Sequence, residues 1–177
     1  MKTNKREAKK SSTERNMKKF DGYKEAFTRI STSISGRYFF EAVTIEESII
    51  TDRILSYFKN NSSETKFKSL QNESFHKIVS ALKEEIKDPI STKKIKNLQE
   101  EIDQWRMDRN KIIHNIVRDK SYTGDSTIED FIKSAEGCAK KGLILARAIS
   151  DWVKIVKTKD KVAWFFYKFT IINHEKK

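Results

Sequence analysis

Residues 95–116 read IKNLQEEIDQWRMDRNKIIHNI, and the fold turns on how this stretch is read. Steps of three and four give one row: Ile95, Leu98, Ile102, Trp105, Arg109, Ile112, Ile116. Such steps place side chains on one strip of an α-helix, whereas a half-buried strand would alternate with a period of two. The stretch is therefore expected to be an amphipathic helix, capped by Ser91 or Thr92 and running to about Arg118. Every member of its row is apolar except Arg109.

Working outward, the same periodicity recurs. Residues 37–58, RYFFEAVTIEESIITDRILSYF, form a second strong helix, with the row Phe40, Val43, Glu47, Ile50, Ile54, Tyr57. Its one exception is Glu47. Tyr23, Phe27, Ile30 and Ile34 mark a shorter helix ended at Gly36. NNSSET reads as loop, residues 72–87 as helix, and Asp88-Pro89 as its stop. SYTGDST reads as a turn-rich loop. Thr127 and Asp130 resemble a capping box that opens a helix from about Ile128 to Lys157. Residues 160–172, rich in aromatics, fit a short helix or a strand equally well.

One Pro and five Gly leave few helix breakers among 177 residues, and 19 aromatics supply core material. The expected fold class is all-α: an antiparallel bundle of about four to five helices over residues 20–177, preceded by a flexible basic arm. That arm, residues 1–19, holds eight Lys/Arg against two Glu and so carries +6 of the net +12. Lys5, Arg6, Lys9, Lys10, Arg15, Lys18 and Lys19 are its candidates for polyanion binding; a plainly solvated tail explains them as well. No apolar run reaches a membrane span, and the basic N-terminus lacks the apolar core of a signal peptide. The single Cys138 cannot form an internal disulfide, which suits a reducing cytoplasm.

A charge in a core-facing row must be paired or must line a wet cleft, because an unpaired buried charge costs several kcal/mol. Glu47 and Arg109 are therefore expected to approach each other or to share one polar cleft. An ion pair that fixes helix register would satisfy this without any further function. His114 lies about 140° around the helix from Arg109. Arg106, Asn110, Ile113, His114 and Val117 form a mixed flank beside the core row, the kind of face that receives a partner helix.

Arg109-Asn110-Lys111-Ile112-Ile113-His114 resembles the R-x4-H motif of the HEPN superfamily, including the polar residue after the arginine. The acidic EAVTIEESIITDR within residues 37–58 is similar to the first long helix of HEPN domains, and the resemblance spans roughly residues 20–160. It implies an α-helical bundle that dimerises, with two R-x4-H motifs meeting in one composite site. It also implies a metal-independent endoribonuclease of toxin–antitoxin or phage-defence type, or a relative that has lost catalysis and serves as a binding module. Arg109 and His114 would be catalytic, Asn110 would assist, and Glu47 and Arg106 would support them. The basic arm and the aromatic tail depart from the family core.

The chemistry suits these residue types. An RNA 2′-hydroxyl can attack the adjacent phosphorus if a base takes its proton, an acid protonates the 5′-oxygen, and cations meet the growing charge. Histidine serves as acid or base near neutral pH, and arginine grips phosphate oxygens in a two-pronged manner. No cofactor or metal is expected: His76, His114 and His174 are scattered, and Glu100, Glu101, Asp103 and Asp108 read as a solvated face. Cys138 among small residues reads as packing. Trp164, Phe165, Phe166, Tyr167 and Phe169 suit packing on the bundle better than base stacking. The expected partners are RNA, a second copy and a separate antitoxin or regulator. Two rivals stand beside the nuclease. One is a non-catalytic dimeric module binding RNA or protein; the other is a helical scaffold in which the motif is accidental.

Overall fold

The structure, a computed structural model, describes residues 5–115 and 127–174, the side chains of residues 5–13, 15, 16, 115 and 159–174 excepted. Among the described residues six helices follow one another: α1 (Lys5–Ser35), α2 (Phe39–Asn61), α3 (Glu64–Leu70), α4 (Phe75–Glu85), α5 (Leu98–Asn115) and α6 (Ile128–His174). Among the described residues there is no strand. The all-α bundle is therefore present, with one more helix than the upper expectation.

α2 lies at the centre, packed against α1, α3, α4 and α6. The chain neighbours α5 and α6 run antiparallel. On α5 and α6, Glu101 meets Lys141 and Trp105 meets Cys138, so one helix rises as the other falls. The expected antiparallel order does not extend to every pair. Phe40 meets Phe131 and Tyr57 meets Trp152, so α2 and α6 run in the same direction. The core comprises Ile30, Val43, Ile50, Ile54, Phe58, Val79, Leu82, Leu98, Ile102, Trp105, Leu145 and Ile149, all at most 2% exposed. Burying one such side chain contributes roughly 1.5–3 kcal/mol before the opposing entropy.

Several boundaries differ from those expected. The 1–19 segment is not irregular: from Lys5 onward it belongs to α1. No Gly or Pro interrupts residues 5–21, and Ala, Lys, Glu and Arg are good helix formers. α1 ends at Gly36 as expected, but the left-handed residue is Arg37, with φ 63°. The Tyr38 amide donates to the Ser33 carbonyl (2.7 Å) and the Arg37 amide to Ile34 (3.1 Å), a Schellman closure with Arg37 in the position usually held by glycine. A Cβ at Gly36 would stand 2.9 Å from the exposed Tyr38 ring, which would have to shift to admit it.

NNSSET is not all loop. Ser63 accepts from the Lys66 amide (3.2 Å) and starts the seven-residue α3. α5 starts later than Ser91 or Thr92, because those residues close a turn of their own. The Thr92 amide donates to the Ile95 carbonyl (2.8 Å), and Asn97 caps α5 by accepting from the Glu100 amide (3.3 Å). The Thr127–Asp130 capping box is present in both directions, at 3.0 and 3.2 Å. α6 continues through residues 160–172 as helix. Ile116, Val117 and Arg118 lie outside the described residues. No helix among those described is long and apolar enough to cross a membrane.

Candidate functional site

The row of α5 turns Leu98, Ile102, Trp105 and Ile112 into the bundle, all at most 7% exposed. It carries Arg109 to the seam with α2. There the Arg109 guanidinium forms an ion pair with the Glu47 carboxylate, with the two side chains 19% and 22% exposed. The expected approach of the two exceptions is thus found, at the rim of the core rather than in its centre. Burial disfavours the guanidinium charge and lowers the Arg109 pKa from the ordinary arginine value. Arg109 Nη1 also donates to Asn110 Oδ1 (2.5 Å), while its buried Nε has no hydrogen-bond partner in the structure.

The structure thus brings Glu47, Arg109 and Asn110 together. His114 follows one turn beyond Asn110 on α5, and its side chain is exposed. Among the described residues it has no hydrogen-bond partner. Arg106 stands apart. Its Nε and Nη2 both lie 2.9 Å from Asp103 Oδ1, and Lys83 of α4 meets Asp103 at 2.9 Å and Glu100 at 2.8 Å. Burial raises the Asp103 pKa, but these cations outweigh it and leave the carboxyl below its usual range. Arg106 therefore belongs to a network joining α4 to α5, not to the Glu47–Arg109 pair.

The basic candidates on α1 divide similarly. Lys18 pairs with Glu14 (3.1 Å) and Lys19 with Asp52 (2.9 Å). Asp52 also accepts from the Tyr23 hydroxyl, and Arg53 stacks over the Tyr23 ring at 3.6 Å. Lys19 is thereby tied into the α1–α2 seam. For Lys5, Arg6, Lys9, Lys10 and Arg15 the structure gives helical backbone alone.

The charge at the centre of the core is one that the row analysis passed over. Glu46 is 0% exposed, and neither carboxylate oxygen has a hydrogen-bond partner. Burial raises its pKa to about 9, so it sits in the bundle as the neutral acid at pH 7. Its carboxyl packs directly on Gly142 of α6, where a Cβ would overlap it and would also stand 2.8 Å from the Trp105 ring. Nearby, Trp105 Nε1 donates to the Cys138 carbonyl (2.9 Å). Burial, with Glu46 adding to it, pushes the Cys138 thiol up to about 12, which fits packing and not nucleophilic chemistry.

The sequence did hold a signal for Glu46. Phe39, Ala42, Glu46, Ile50 and Ile54 are also spaced in threes and fours, and all are buried. α2 packs on several sides, so its buried arc takes in this row as well as part of the one containing Glu47.

Among the described residues, no three His, Cys, Asp or Glu side chains gather closely enough to hold a metal ion. Comparison with known proteins adds no assignment: no family model, no curated protein and no solved structure matches the chain.

Proposed function

We propose that this protein is a metal-independent endoribonuclease of toxin or phage-defence type, acting as a homodimer with a composite site. The observation that carries the reading is the α5 arrangement: a guanidinium oriented by Glu47, Asn110 beside it, and an exposed His114 one turn on. It rests as well on the resemblance of Arg109–His114 to the HEPN motif. An arginine held by a carboxylate keeps some of its donors for a second partner, and a phosphodiester oxygen suits them. Asn110 would add a hydrogen bond to phosphate. An exposed imidazole can reach a ribose hydroxyl or a leaving oxygen.

One chain supplies one His114. Two-fold symmetry supplies two, so that one accepts the 2′-hydroxyl proton while the other protonates the 5′-oxygen. The 2′-oxygen then bonds to phosphorus, the bond from phosphorus to the 5′-oxygen breaks, and the products carry a 2′,3′-cyclic phosphate and a 5′-hydroxyl. The two guanidiniums stabilise the charge that builds on phosphorus. Helical Lys and Arg of the 5–19 segment would add affinity without sequence preference, falling steeply with salt.

The test is cleavage of a labelled RNA in excess EDTA, wild type beside His114→Ala. Because His114 is exposed, the variant should fold normally. Cutting by wild type alone, with cyclic-phosphate ends, supports the nuclease. Cutting by both removes His114 from the chemistry, and 5′-phosphate ends rule the mechanism out. The second reading, a non-catalytic dimeric module that binds RNA or a partner protein, is favoured by the engagement of Arg109 and Arg106 within the fold. It predicts RNA or protein binding without cleavage, unchanged in His114→Ala.

A further inference from the structure

We infer that the cleft between the 86–97 segment and α6 docks an acidic amphipathic helix of another protein. The cleft measures about 410 Å³ and is lined by Ser91, Thr92, Lys93 and Lys94 on one side and by residues 144–155 of α6 on the other. On α6 the lining runs Ile144, Ala148, Trp152, Ile155, in steps of four, four and three, a continuous helical stripe. Ile144 is 47% exposed and Ile155 55%, and they stand at the two ends of this one stripe. The stripe covers three turns, about 16 Å. Trp152 is fixed in orientation by Tyr57, their ring centroids 5.0 Å apart.

The opposite wall is built, not slack. The buried side chain of Gln99 clasps the 86–97 segment by accepting from the Ile90 amide (2.8 Å) and donating to the Asp88 carbonyl (2.8 Å). The Leu98 amide returns to the Ile90 carbonyl (2.9 Å), and Ser91 Oγ donates to the Lys96 carbonyl (2.8 Å). A hydrogen-bonded wall thus faces the apolar stripe of α6.

Charge selects the occupant. Lys93, Lys94 and Arg147 stand at the cleft, and among the described residues none of them forms an ion pair, though Arg147 also lies over the Phe27 ring at 5.9 Å, which leaves the two lysines as the free cations of the rim. The one acid in the lining, Asp151, already meets Lys154 (3.2 Å). The unmatched charge at the rim is therefore positive. A second copy docking two-fold through this same face would bring the same cations against it. A mononucleotide is shorter than the stripe and would leave one of the two isoleucines in water. A helix with apolar residues on one face and carboxylates beside them covers the whole stripe and meets the cations. The inference uses none of Arg109, Asn110 or His114, and so stands independently of the nuclease reading.

The test uses the full chain and a fluorescein-labelled Glu/Leu peptide of about 15 residues, long enough for three turns. Its leucines lie on one helical face, and a scrambled peptide of identical composition controls for attraction to a basic protein. Anisotropy at physiological salt should show the amphipathic peptide binding about tenfold or more tighter than its scramble. Ile144→Ser with Ile155→Ser should reduce it to the level of the scramble. Lys93→Glu with Lys94→Glu should weaken it by about tenfold while leaving circular-dichroism melts unchanged. These positions are exposed, so folding is retained. Equal binding of peptide and scramble, or binding unmoved by the isoleucine pair, overturns the proposal. So does sedimentation showing self-association that the same isoleucine pair abolishes, which would make a second copy the occupant.

Discussion

Replacing Glu46 by glutamine should make this protein more stable, and increasingly so as pH rises. The Glu46 carboxyl titrates near 4.5 in an unfolded chain and near 9 in the bundle, because burial without a partner disfavours its charged form. Below the unfolded value both states hold the proton and Glu46 adds no pH dependence. Between the two values the native state holds a proton that the unfolded state has released, so stability falls with rising pH by about 1.4 kcal/mol per unit. From pH 5.5 to 7.5 the loss amounts to about 3 kcal/mol, a large share of the roughly 5–15 kcal/mol typical of a domain. Glutamine has nearly the same shape and does not ionise. The assay is urea unfolding of wild type and Glu46→Gln at both pH values. Every other titrating group is common to the two proteins, so the change in their stability difference isolates Glu46. That difference should move in favour of the variant by about 3 kcal/mol over the two units. A difference that stays constant with pH would refute the claim that Glu46 is buried and unpartnered.

Other substitutions probe the same seams. Gly142→Ala, which in an open helix would gain about 1 kcal/mol, should instead destabilise, because the new Cβ overlaps the Glu46 carboxyl; pairing it with Glu46→Ala should recover part of the loss in a thermal-melt double-mutant cycle, the close approach to the Trp105 ring remaining. Glu47→Ala strands a half-buried guanidinium and should cost about 2 kcal/mol in denaturant, with Glu47→Ala/Arg109→Ala costing less than the two single losses together. Arg37→Gly places glycine at the left-handed residue of the α1–α2 turn and should raise stability by about 1 kcal/mol in the same assay. Gln99→Ala removes the clasp on the 86–97 segment, and amide hydrogen exchange should quicken at Ile90 while the α2 amides remain protected.

What the sequence determined by itself was local or periodic. Threes and fours placed α2, α4, α5 and the start of α6, because a helix repeats within its own span and needs no knowledge of its neighbours. The Thr127–Asp130 cap was legible for the same reason, its partners being three residues apart. Local patterns also allowed two outcomes for Glu47 and Arg109, direct approach or a shared polar cleft, and the ion pair is the first of them.

Tertiary structure decided the rest. Which of two adjacent carboxylates lies at the rim and which at the centre depends on how many helices surround α2, and no row within α2 encodes that. The later start of α5 depends on Gln99 reaching back to Ile90 and Asp88, contacts made only once the 86–97 segment has folded over. Arg106 looked like part of the flank with Asn110 and His114, yet Asp103 claims it, itself held by Lys83 from a different helix. The parallel course of α2 and α6 and the cleft beside Trp152 are relations between elements distant in the chain. Periodicity specifies which face of a helix is apolar; only packing specifies what that face meets.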